Sequence, residues 1–158
     1  MNCVATLIAA LVAFIAIQQY LLAREKFKLD LFEKRFAIFK ATETFIGLIT
    51  MARNSSQNDF SDWHRQFSVQ TQAASFLFDE EISNFIDDLA RKGNRVTVAY
   101  GLKNEPNANT DPAIVEALKD ARQIQNEFFS IQGQLKNRFS PYLKFKNWKY
   151  GFLFQLTS

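Results

Sequence analysis

From Val4 to Ala23 the chain reads VATLIAALVAFIAIQQYLLA, twenty residues without a charge. It then passes, with no glycine or proline between, into REKFKLDLFEKRF. A helix rises 1.5 Å per residue, so twenty residues cover about 30 Å, the thickness of a bilayer's hydrocarbon. Ten of them are large and apolar: Val4, Leu7, Ile8, Leu11, Val12, Phe14, Ile15, Ile17, Leu21 and Leu22. At a few tenths of a kcal/mol each, they favour insertion by roughly 3–6 kcal/mol. Gln18 and Gln19 oppose this, but they sit toward the charged end, where an amide reaches headgroups or a neighbouring helix. Tyr20 suits the interfacial ring. The expectation is a membrane span over 1–23.

Three competing readings apply to this segment. A cleaved signal peptide needs a basic start and a small-x-small cleavage site, whereas the first basic residue here is Arg24. A lipoprotein needs an apolar segment ahead of its cysteine, and Cys3 has none. A buried helix of a soluble protein remains the plain alternative, kept open by Gln18 and Gln19.

Orientation follows from charge. Arg24, Lys26, Lys28, Lys34 and Arg35 crowd one side of the segment, which places that side in the cytoplasm and the N-terminus outside. Tyr20, Arg24, Lys26 and Lys28 then form the first membrane interface. Ala5, Ala9 and Ala13 recur every fourth residue and, with Gln18 and Gln19, are the candidates for packing one span against another in a homo-oligomer.

Beyond the span, apolar residues recur at three- and four-residue steps, Phe27, Leu31, Ile38, Phe45 and Leu48 among them, so the stalk helix runs over 24–52. A stripe this wide predicts that other helices cover it. NSSQNDFSD is a loop with a cap expected at Ser61, opening a helix at about 62–77. Asp79 caps a third helix at about 80–100, with Gly93 either inside it or at its end; RVTVAYGL has strand character but no partner strand. Asp111-Pro112 starts a fourth at about 112–137, with Val115, Leu118, Ala121, Ile124, Phe128, Ile131 and Leu135 as its buried set. Ser140-Pro141 then opens a turn. The predicted fold is all-α: a transmembrane helix (1–23) continuing into a four-helix, up-and-down cytoplasmic bundle (24–145), with an aromatic and basic tail (146–158).

REKFKLDLFEKRFAIFKATETFI, FLFDEEISNFIDDL and FSPYLKF together resemble a family of short, uncharacterised bacterial inner-membrane proteins. The resemblance covers most of the chain and implies one N-terminal span with a helical cytoplasmic part. It implies no activity, substrate or cofactor. The closing YGFLFQLTS departs from the family's pattern.

The residues themselves point to no enzyme. His64 is the only histidine and stands beside Trp63 without the partners that a general base or a zinc site requires. Glu80-Glu81 and Asp87-Asp88 are adjacent pairs, which diverge on a helix. No phosphate-cradling glycine loop or nucleophile elbow occurs. One cysteine excludes an internal disulfide and favours a reducing compartment. No cofactor, metal or small-molecule substrate is evident. A net charge of +3 is too mild for a nucleic-acid surface.

LKNRFSPYLKFKNWKYGFLF stands above that background, because lysines and arginines alternate with aromatics and no acid intervenes. Lys144, Lys146, Trp148 and Lys149 are the candidates for contact with the anionic cytoplasmic leaflet, against the plain reading of a cap that completes the core. Such interleaving also serves single-stranded nucleic acid, a distant third reading given the acids elsewhere and the tether. The function expected is a membrane-anchored interaction or scaffold protein with the bilayer and a protein partner as its contacts. The alternative is a membrane-disrupting, toxin-like effector acting through assembled spans.

Overall fold

The computed structural model describes residues 2–51 and 56–144. Among them the chain is all-α, with a long apolar N-terminal helix followed by further helices and no strand. It divides into two units, Met1–Lys34 and Arg35–Ser158.

Helix α1 runs Asn2–Met51, 50 residues, several times the usual globular length. Its first glycine is Gly47 and it holds no proline, so nothing breaks its hydrogen-bond ladder. Helix α2 runs Gln57–Thr71 and is capped by Ser56, not by Ser61, which lies inside it. The reason is local. Asp59 stands three residues after Ser56, so its carboxylate accepts from the Ser56 N–H at 2.8 Å while the Ser56 hydroxyl accepts from the Asp59 N–H at 3.3 Å. Ser61 has His64 at that spacing and gains no such reciprocal bond.

The expected single helix to 77 is broken. After a turn at 72–73 the short helix α3, Ala74–Leu77, buries Ala74, and Phe78 becomes extended and swings into the core. Asp79 accepts from the Ile82 N–H at 3.1 Å and opens α4, Glu80–Leu102. RVTVAYGL is wholly helical up to Leu102: Val96 and Ala99 are buried three residues apart while Val98 faces outward. Gly93 is internal because a Cβ there would overlap the Phe45 ring.

Asp111 caps α5, Pro112–Leu143, accepting from the Ala113 N–H at 2.8 Å. The helix passes through Pro141, so the turn expected at Ser140-Pro141 does not form. Proline there forfeits one backbone bond. Contacts on either side hold the last turn: Phe139 against Phe39 at 5.5 Å and Phe78 at 5.4 Å, and Tyr142 against Phe78 at 5.3 Å between ring centroids. The buried set is also shifted: Ile114 is buried, whereas Val115 is 47% exposed.

In the unit beginning at Arg35, consecutive long helices run antiparallel. Phe39, Phe45 and Ile49 of α1 meet Phe139, Phe128 and Gln125 of α5 in reverse order. Phe60 of α2 stacks on Tyr100 of α4, and His64 reaches the Ala90 carbonyl. Glu81 meets Arg138, and Lys92 meets Glu127. Phe45 is central, stacked on Phe67 at 4.2 Å and edge-on to Phe128 at 6.1 Å. Rings of this size hold the helices together by side-chain reach, which explains the many phenylalanines.

Full burial along α1 begins at Ile38. Within the second unit, Phe36 is 43% exposed, so the expected cover of the stripe is incomplete there. At the start of the second unit, Arg35 meets Leu77 of α3, Phe78 and Tyr142 of α5.

Candidate membrane segment and the bundle end it joins

Among the described residues, one helix is long and apolar enough to cross a membrane, α1. Its most apolar 18-residue window has a mean hydropathy of 2.0, and none of that window is buried. Leu7, Ile8, Leu11, Val12, Phe14, Ile15 and Ile17 are all exposed. Soluble monomers rarely show water a contiguous apolar surface of more than a few hundred Å². Ala5, Ala9, Ala13 and Gln19 are exposed and Gln18 is half-buried. Tyr20, Arg24 and Lys26 are exposed, while Lys28 is half-buried and paired with Glu25 at 2.8 Å. Lys144 is exposed just past α5. Lys146, Trp148 and Lys149 lie outside the described residues.

The structure assembles a cluster where the second unit begins. The Arg35 guanidinium carbon lies 5.9 Å from the Phe78 ring centre and 5.8 Å from that of Tyr142, and its Nε donates to the Leu77 carbonyl at 2.8 Å. A planar guanidinium suits this double stacking in a way that an ammonium does not. The Tyr142 hydroxyl donates to the Asp79 carboxylate, which already caps α4. One arginine thus ties α1 to the α3–α4 junction and to the end of α5. Arg35 was legible as one of five basic residues after the span, but its three partners come from distant positions.

The Tyr142 hydrogen bond, helped by the Ile82 N–H, holds the Asp79 carboxyl below its ordinary value of 3.8. The same hydrogen bond pushes the Tyr142 phenol above 10.0, with burial and the Asp79 charge adding to it. A lowered carboxyl stabilises the fold above its unfolded value, and that contribution is lost as pH falls through the lower folded value. A raised phenol stabilises below its unfolded value and is lost as pH rises through the folded one. Tyr142→Phe should therefore lower the thermal midpoint at pH 7, and its gap from the parent should narrow as pH falls below 3.8. Melting curves by circular dichroism check this; a gap of constant size would show that Asp79 and Tyr142 are not linked.

Three further titratable groups serve helix contacts. His64 is half-buried, and its Nε2 donates to the Ala90 carbonyl at 3.1 Å, the carbonyl being able only to accept. Asp88 is held below 3.8 by hydrogen bonding from Lys92, assisted by Arg91. Burial pulls the Lys92 ammonium down, but hydrogen bonds to Glu127 and Asp88 outweigh it and leave it raised. Asp87 is exposed. Among the described residues no three His, Cys, Asp or Glu side chains converge on a metal position.

A cleft of about 420 Å³ lies between α4 and α5, lined by Tyr100, Lys103, Leu118, Arg122, Gln125 and Asn126. The sequence carried no sign of it, since its walls come from segments some twenty residues apart with unremarkable spacing. Compared with known proteins, the chain matches no family model, no curated protein and no solved structure.

Proposed function

We propose that this chain is a single-pass protein of the bacterial inner membrane that holds a helical interaction body, residues 35 onward, on the cytoplasmic side. The resemblance noted in the sequence is to proteins of that plan. The observation that carries the reading is the wholly exposed apolar stretch of α1, whose length matches a bilayer. Five basic residues follow it within twelve positions, which supports an N-terminus outside. The role in this reading is to bind: the bilayer through α1, and a protein partner or a second copy through the helix faces of the body.

The tail's contact with the leaflet belongs to the same proposal. Tyr142 packs on Arg35, the last of the five basic residues after the span. Lys146, Trp148 and Lys149 follow Tyr142 within seven residues, and in this reading the two lysines meet the headgroups. Each lysine there contributes about 1 kcal/mol of attraction to an anionic surface.

Topology is the direct test. A phosphatase or fluorescent reporter fused after Ser158 should fluoresce in the cytoplasm and show no phosphatase activity outside it. The chain should also stay with the membrane through alkaline extraction. An active phosphatase at Ser158 would reverse the orientation, and release by alkali would remove the span.

A further inference from the structure

The cleft between α4 and α5 has an uneven charge that the rest of these two helices lacks. From residue 91 to 138 there are eight cations, and Arg91, Lys92, Arg95, Lys119 and Arg138 each face a carboxylate. Lys103, Arg122 and Lys136 make no such pair among the described residues, and the first two line the same cleft. No acid is in its walls. The nearest along the chain are Glu105, Glu116, Asp120 and Glu127, none of them a wall residue; Asp120 is engaged by Arg95 at 2.7 Å, Glu127 by Lys92 and Glu116 by Lys119 at 4.0 Å.

The back of the cleft is fixed. The Tyr100 hydroxyl donates to Gln125 Oε1 at 3.2 Å, and Gln125 Nε2 donates to the Ile49 carbonyl at 3.0 Å. Tyr100 is also stacked on Phe60 at 4.6 Å. These two side chains therefore spend their polar atoms on the fold and present a ring face and an amide plane. The free donors are the Lys103 ammonium, the Arg122 guanidinium and the Asn126 amide, with Leu118 as the apolar wall. Lys103 lies 5.7 Å from the Tyr100 ring centre, so the ring steadies it without neutralising it. The partial negative charge at the end of α4 offsets only part of two full positive charges.

We propose that this cleft is a binding site for a small organic anion, a phosphate monoester or carboxylate carried on a flat apolar body. A guanidinium and an ammonium side by side match a phosphoryl group, the first by its fork and the second as a point charge. The volume is that of a small-molecule site. Nothing in this inference depends on α1 crossing a bilayer.

The test uses the full chain in zwitterionic nanodiscs, titrated by calorimetry with phenyl phosphate, inorganic phosphate and benzyl alcohol. Phenyl phosphate should bind saturably and more tightly than inorganic phosphate, and uncharged benzyl alcohol should not saturate. Lys103→Gln with Arg122→Gln should weaken phenyl phosphate at least about tenfold, and Arg122→Lys, which keeps the charge but loses the fork, should fall between. Both positions are exposed, so the variants should melt with the parent; Lys136→Gln, outside the cleft, should leave binding unchanged. Repeating the titration in discs containing anionic lipid separates the sources, since a headgroup ligand competes and a soluble ester does not. Absence of saturation by phenyl phosphate up to about 10 mM, or equal binding in the double variant, would overturn the proposal.

Discussion

Leu11→Arg combined with Ile15→Arg is expected to move the chain out of the alkali-resistant membrane fraction. An arginine near the middle of a span costs about 2.5–3.5 kcal/mol, so two cost about 5–7. The ten large apolar residues of the segment supply only roughly 3–6 kcal/mol, so the balance turns against insertion. Leu11→Val with Ile15→Leu should behave as the parent. The unit beginning at Arg35 shares no core residue with positions 11 and 15, so its own melting transition should be unchanged. A double arginine variant that still resists alkali would remove the span, and with it the orientation and the leaflet contact of the tail.

The second large effect is expected at Phe45. This ring is 2% exposed, stacks on Phe67, meets Phe128 and His64 edge-on, and fills the space that Gly93 leaves open. Phe45→Ala should lower stability by about 3–5 kcal/mol, because the pinned neighbours cannot close the void. A domain of this size holds about 5–15 kcal/mol in all, so the loss is severe. Gly93→Ala should also destabilise, by about 1–3 kcal/mol of overlap against a propensity gain of about 1. Together the two changes should cost less than their sum, since the new methyl enters the space vacated by the ring. Urea midpoints followed by far-ultraviolet circular dichroism measure all three. Strict additivity would show that ring and glycine are not in contact.

The regions that were legible in the sequence carry their determinants locally. The caps at Asp79 and at Asp111-Pro112 bond to backbone two or three residues away, and the structure has them as expected. Ser56 was equally local, with Asp59 three residues on, but the expected cap was Ser61. The continuation of α5 through Pro141 was not legible, since the chain around it reads as a turn. Phe39, Phe78 and Arg35 supply the contacts that keep it helical, and they lie sixty residues or more away. The candidate site divides the same way. Arg24, Lys26 and Lys28 are the interface expected from charge counting, whereas the place of Tyr142, two residues before Lys144, in the Arg35 cluster follows only from the packing of α5.

By itself the sequence determined the helical class, the apolar reach of α1 and the charge asymmetry behind it, because helix period, bilayer thickness and charge counting act along one chain. Tertiary structure decided which phenylalanine occupies the centre, where the last helix stops, and that Lys103 and Arg122 stand over one cleft. Those outcomes depend on side chains from separate helices competing for the same space, and no spacing along a single strand of text encodes who wins it.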